Sequence, residues 1–242
     1  PYLTFLCPFS HSMTAEGELR PINDGRLVSA AYAASAAPLL TVTNLSESSG
    51  FSSDIAHAVF TDEQVQNRVF DNILSTLREK KYYGINFNIE YVYPFDREGY
   101  NAFIRRAAEV FHPLGYYLTS AIAPKDSDRQ SGLLYEAHDY AAHGRYMDRV
   151  IIMTYEWGYT YGAPQAVSPV DRMRAVLEYA VTKIPAGKIL MGFSNYGYNW
   201  RLPWRQGEAA QVVSNAGATD LAVSMGAEIH SDAVASAPYF NY

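Results

Sequence analysis

A single cysteine, Cys7, occurs in 242 residues, which excludes an intramolecular disulfide and a cysteine-rich metal site. No apolar run approaches the ~20 residues that cross a bilayer as a helix, so no membrane partner is expected. Charged residues make up only 18% of the chain, the formal net charge is −6, and no Lys/Arg cluster occurs. That balance argues against nucleic acid as a partner. Gly192, Gly197 and Gly207 form no phosphate-cradling loop. His138-Asp139 and His143 lie close together, but no H-x-x-x-H pair occurs and no third ligand is evident, so no metal is expected. Low-complexity tracts, internal repeats and interdomain linkers are also lacking. No signal peptide opens the chain, and its start, Pro1-Tyr2-Leu3, reads as the interior of a longer protein.

Aromatic residues are abundant: 20 Tyr, 11 Phe and 3 Trp. Rings with a polar tip suit surfaces that stack on sugars, and they equally suit an aromatic core. Hydrophobic content of 48% supports a sizeable core. Strand-like runs recur at Tyr2–Phe9, Leu39–Thr43, Ile85–Ile89, Tyr117–Ile122, Val150–Thr154 and Ile189–Phe193. Between them lie amphipathic helices. Thr61–Lys80 opens with a Thr61/Gln64 capping box and carries Val65, Val69, Ile73 and Leu77 on one stripe. Asp96–Phe111 repeats the pattern. Ser168–Ile184 has Ser168 as cap and Pro169 at the first helical position. The tail from Gly207 to Tyr242 reads as a helix over Glu208–Val213 or beyond, a second helix-like stretch, and a hairpin around Glu228–Tyr242.

Strand–helix alternation predicts a parallel sheet with right-handed crossovers. A doubly wound sheet would show a glycine-rich turn after its first strand, and none is present. A (β/α)₈ barrel places chemistry at the C-terminal ends of several strands. Here Asn44, Glu90, Pro124-Lys125, Tyr155-Glu156 and Asn195-Tyr196 follow apolar runs, so the TIM barrel is favoured. Only about six of its eight strand–helix units are evident. Within Gly84-Ile85-Asn86-Phe87-Asn88-Ile89-Glu90 the residues Asn86, Asn88 and Glu90 share one face of a strand flanked by amphipathic helices. A polar ladder ending in a carboxylate inside a buried strand is costly unless hydrogen-bonded or catalytic. Glu90 is therefore the first candidate for chemistry.

The pair of segments Tyr83–Glu90 and Val150–Glu156 resembles glycoside hydrolase family 18, the chitinase-like barrels. That family carries Asp-Gly-x-Asp-x-Asp-x-Glu on its fourth strand and Met-x-Tyr-Asp on its sixth. Tyr135-Glu136-Ala137-His138-Asp139-Tyr140, Tyr155-Glu156-Trp157-Gly158-Tyr159 and Ala166-Val167-Ser168-Pro169 narrow the likeness to bacterial spore-cortex and cell-wall N-acetylglucosaminidases. The resemblance covers essentially the whole chain. It implies one domain over 1–242, incomplete at both ends: strands two to seven of the barrel, with 207–242 beginning a small α+β insertion.

The resemblance also implies roles. Glu90 would be the general acid, with no cofactor required. The substrate's acetamido oxygen would serve as nucleophile, an exception to the two-carboxylate scheme. The family's Asp two residues before the acid is Asn88 here, able to hydrogen-bond but not to supply charge. Three explanations stay open: an engineered substrate-trapping variant, a degraded enzyme that binds sugar, or a tolerated natural difference. Asn86 stands where the signature has an outer Asp, as a neutral partner to position 88. Tyr155 would orient the acetamido group, and Glu156 replaces an Asp that contacts the sugar. Trp157, Tyr196 and Trp200 are candidates for stacking on sugar faces, and Asn195 for bonding hydroxyls. The expected partner is a GlcNAc-containing polysaccharide, peptidoglycan or chitin oligomers. The expected location is outside the cytoplasm, at spore or cell wall. The rival reading is a GlcNAc-binding, lectin-like pseudoenzyme on the same fold.

Overall fold

The computed structural model describes residues 3–48 and 50–242. The chain divides into two compact units, Pro1–Ile152 with Ala180–Leu190, and Met153–Tyr179 with Met191–Tyr242.

In the first unit the strands are β1 (Phe5–Leu6), β2 (His11–Ser12), β3 (Ala37–Thr43), β4 (Gly84–Asn88), β5 (Tyr117–Ile122), β6 (Arg149–Ile152) and β7 (Ile189–Met191), whose last residue belongs to the second unit. They form one sheet ordered β1-β3-β4-β5-β6-β7, with β2 also paired to β3. The pairings from β1 through β6 are parallel. The helices are α1 (Gly25–Ala33), α2 (Ser53–Thr61), α3 (Glu63–Lys80), α4 (Arg97–Phe111) and α5 (Tyr140–Tyr146). This is the strand–helix alternation expected of a (β/α)₈ barrel. The run expected at Tyr2–Phe9 forms only the short β1, and Tyr2 lies outside the described residues.

Helix stripe and strand spacing meet in the core. Val69 and Ile73 of α3 and Phe103, Ile104, Ala107 and Phe111 of α4 are fully buried, as are Leu40 and Val42 of β3 and Ile85 and Phe87 of β4. The Phe103 ring lies 5.2 to 5.4 Å from those of Phe60, Phe70 and Phe87, within the range where aromatic pairs add to simple burial. The capping box expected at Thr61 is not formed. Thr61 ends α2, its hydroxyl donating to the His57 carbonyl oxygen. Asp62 caps α3 instead, its carboxylate accepting from Gln64 N (2.8 Å) and Val65 N (3.2 Å). A carboxylate satisfies two of the helix's unpaired donors and suits the positive end of its dipole. Asp24 ties the sheet to α3. It is buried, and accepts from His11 Nε2 (2.8 Å), Lys80 Nζ (2.6 Å) and Tyr82 OH (2.6 Å). Burial alone would raise its pKa, but these bonds outweigh that effect and hold it at about 2.

The second unit contains most of α6 (Val170–Ala180), an antiparallel pair β8 (Tyr196–Asn199) and β9 (Gln211–Ser214), α7 (Asn215–Met225), and a second antiparallel pair β10 (His230–Asp232) and β11 (Ala237–Tyr239). The hairpin expected near Glu228–Tyr242 is the β10–β11 pair. The helix expected over Glu208–Val213 is replaced by a strand. Val212 and Val213 pair with Tyr198 and Gly197, and two adjacent β-branched residues favour that state. The helix starts only after Ser214, whose hydroxyl accepts from Gly217 N at 3.0 Å. The helix expected over Ser168–Ile184 is shorter, and the Ser168 hydroxyl is bonded to Ser194 Oγ at 3.1 Å.

Candidate active site

The polar ladder of β4 is buried along its whole length. Gly84 opens it because nothing larger fits: a Cβ there would lie 2.0 Å from the Tyr117 carbonyl oxygen of β5. Register then sets the neighbours. Thr41 and Thr43 of β3 pair with Asn86 and Asn88, and Thr119 of β5 pairs with Asn86. Asn86 Oδ1 accepts from Thr119 Oγ1 at 2.9 Å. Asn86 was expected to partner position 88; its side-chain bond is instead to β5.

Glu90 lies two residues beyond the end of β4 and is half-buried. Burial pushes its pKa up to about 7, and a hydrogen bond from Asn88 opposes the shift without cancelling it. At neutral pH a large share of the carboxyl is therefore protonated, as a general acid requires. Asn88 is 9% exposed, and its Oδ1 is buried without a partner among the described residues. That leaves an acceptor with unmet capacity beside Glu90, and a buried polar atom of this kind calls for a reason. Tyr91, next in sequence, takes φ 53°, turning the chain sharply away after Glu90.

Two buried histidines stand near the ends of β4 and β5. His138 is held neutral, its pKa lowered to about 4 chiefly by burial. His143, also lowered by burial, to about 3, is bonded through Nδ1 to Ser120 Oγ at 2.8 Å. Among the described residues no group of three His, Cys, Asp or Glu is arranged to hold a metal ion.

The second unit holds its own polar–aromatic cluster. Glu156 takes φ 68° and is exposed. Its carboxylate accepts from Tyr196 OH, and from Tyr198 OH at 2.9 and 3.0 Å. Burial, and then the bond to Glu156, raise the Tyr196 pKa above its ordinary value. Tyr198 also packs its ring 5.6 Å from Trp200, whose Nε1 donates to the Gly162 carbonyl oxygen at 2.9 Å. Thus Glu156, Tyr196 and Trp200 are gathered with Tyr198, a residue sequence reasoning missed. The period-two series Tyr196, Tyr198, Trp200 could have revealed it as one aromatic face of a strand. Tyr155 and Trp157 are half-buried on either side of Glu156, and Asn195 is exposed before β8. Among the described residues no Asn195 hydrogen bond enters the cluster.

Comparison with known proteins places the chain in a family. Residues 39–241 match the family model for glycosyl hydrolases family 18. The chain is 42% identical over 243 residues to a cortical fragment-lytic enzyme of Bacillus subtilis, covering all of this chain and 56% of that protein. The crystal structure of the spore cortex-lytic enzyme SleL from Bacillus cereus superposes with a TM-score of 0.96 at 39% identity, over 100% of this chain and 56% of that one. A chitinase from Chromobacterium violaceum superposes with a TM-score of 0.91 at 26% identity, covering 99% and 74% of the two chains. The chain thus spans little more than half the length of the cortex-lytic relatives, and the parallel sheet is part of a TIM barrel. By its family match and by the fold around Glu90, the chain belongs to glycosyl hydrolases family 18.

Proposed function

We propose that this protein cleaves β-1,4-linked N-acetylglucosaminyl bonds in peptidoglycan, with spore cortex as the natural substrate and retention of anomeric configuration. The observation that carries the reading is Glu90, a half-buried carboxyl with its pKa raised to about 7 beside Asn88, whose acceptor oxygen has no partner among the described residues. Glu90 donates its proton to the glycosidic oxygen as the C1–O bond breaks. The substrate's acetamido oxygen attacks C1 from the opposite face and forms an oxazolinium ion. Water then adds to C1, giving its proton to the Glu90 carboxylate, and the acetamide re-forms. Asn88 Oδ1 accepts the acetamido N–H and orients the nucleophile. Tyr155 is proposed to bond the acetamido group. Glu156 with Tyr196, and Trp157 and Trp200 by their rings, contact sugar in their own unit, and Asn195 contacts sugar hydroxyls. No cofactor takes part. The domain is proposed to extend beyond 1–242 at both ends, and to act outside the cytoplasm at spore or cell wall. The relatives named for cortex lysis favour peptidoglycan over chitin.

The pH profile tests this. Only protonated Glu90 is competent, so kcat/KM on GlcNAc oligomers and on cortex fragments should be flat below pH ~6 and fall about tenfold per unit above ~7.5. A rate that rises through pH 7 contradicts the assignment. Binding of both glycans with no turnover at any pH establishes the lectin-like reading, which the Asn at position 88 favours.

A further inference from the structure

Glu90 follows a strand whose ladder ends before it. The last paired residue of β4 against β3 is Asn88, opposite Thr43, and the last against β5 is Phe87, opposite Ser120. The acid's backbone is nonetheless held on both sides, by side chains. On the β3 side Asn44, fully buried, receives a hydrogen bond from Glu90 N at its Oδ1 (3.0 Å). Its Nδ2 donates to the Glu90 carbonyl oxygen (2.8 Å) and to that of Ser52 (2.9 Å). The primary amide thus presents to Glu90 the donor–acceptor pair of a neighbouring peptide. On the β5 side the His138 ring, 1% exposed, spans Ile89 and Ala123. Its Nδ1 accepts from Ala123 N at 2.7 Å, so the proton lies on Nε2, which donates to the Ile89 carbonyl oxygen at 3.0 Å. His138 is itself fixed. Its carbonyl oxygen accepts from the buried Lys125 Nζ at 3.1 Å, and Tyr140 OH donates to the Ala123 carbonyl oxygen at 2.7 Å.

We propose that Asn44 and His138 are positioning residues that prolong the β3–β4–β5 ladder by one step through their side chains, so that the Glu90 carboxyl is placed for proton delivery. This rests on the reading of Glu90 as the acid. The two Asn44 bonds meet the N–H and the carbonyl oxygen of Glu90 itself, and the bond from His138 meets the Ile89 carbonyl oxygen, which lies on the same peptide unit as the Glu90 N–H. A strand end would otherwise fray, and a misplacement of about 1 Å in a proton donor costs about 10²-fold in rate. Neither side chain needs to touch the sugar.

The test exploits leaving groups. A GlcNAc oligomer needs its departing oxygen protonated, whereas a 2,4-dinitrophenyl glycoside of the GlcNAc dimer does not. In the full-length protein, Asn44→Ala should lower kcat on the oligomer about 10²-fold with KM little changed, and kcat on the dinitrophenyl substrate less than about fivefold. His138→Leu should do the same. His138→Gln should recover most of the loss, because a neutral amide again offers an acceptor to Ala123 N and a donor to the Ile89 carbonyl. Equal losses on both substrates mean a merely structural role and overturn the proposal, as does no loss on either. Failure of His138→Gln to recover activity removes His138 from it. Glu90→Gln run in parallel separates the two levels: if it hydrolyses the oligomer normally, the reading of Glu90 is wrong. If it shows the leaving-group dependence and the Asn44 and His138 variants do not, only the positioning proposal falls. A wild-type protein inert on both substrates overturns both.

Discussion

Replacing Asn88 with aspartate should raise kcat on GlcNAc oligomers by about 10²-fold, with KM nearly unchanged. As the acetamide attacks C1, positive charge develops on its nitrogen. An amide oxygen can accept that N–H but brings no charge to offset it, whereas a carboxylate does both. In a partly dehydrated site the difference is of the size found when one well-placed electrostatic contact is removed from a transition state. Asn88 makes the substitution nearly isosteric, and its Oδ1 has no partner among the described residues, so no described hydrogen bond is broken at that atom. A second consequence follows. A carboxylate beside Glu90 penalises ionisation of the acid, so the alkaline limb of the pH profile should move upward from about 7. Steady-state kinetics from pH 5 to 9 on both forms checks this. Equal kcat values would show that the amide suffices and that the natural reaction runs without the charge.

Glu90→Gln should reduce oligomer hydrolysis by about 10³-fold while leaving binding intact, since glutamine can donate a hydrogen bond but cannot transfer a proton. The same substitution should stabilise the fold at alkaline pH. The folded-state pKa lies near 7, above the ordinary value of 4.5. The carboxyl therefore weighs nothing against folding below about pH 4.5, and an increasing amount as pH rises through 7. At pH 8 the wild type carries the cost of a half-buried anion, on the order of 2 kcal/mol after allowance for solvent screening. Thermal melts should show the variant more stable at pH 8, the difference shrinking as pH falls through 7 and vanishing only below about pH 4. A variant that loses activity and stability together at pH 8 would point instead to a structural carboxylate.

The buried polar ladder of β4 and the family were legible because the signal is local. Three polar residues spaced two apart, two on one strand and the third just beyond its end, together with Val150–Glu156, carry both the alternation and the family likeness. The helices α3 and α4 were legible for the same reason, their apolar stripes lying within single segments. What failed depends on details a stripe does not contain. Whether Thr61 or Asp62 caps α3 turned on a neighbouring helix that ends at Thr61. Strand β9 is mostly exposed, so no inward face alternates along it. The holding of Glu90 by Asn44 and His138 crosses 46 and 49 residues of sequence, between partners that share no local pattern. Tyr198 was hidden because a tyrosine in a sequence with 20 of them is unremarked until its hydroxyl meets Glu156.

The measurement that reaches furthest is the anomeric configuration of the first-formed product. A β-linked GlcNAc oligomer, incubated with the protein and followed by proton NMR before mutarotation, should release the β-anomer first, because acetamide attack and water attack each invert C1. First release of the α-anomer, or tight binding with no new reducing end, would contradict substrate-assisted hydrolysis through Glu90.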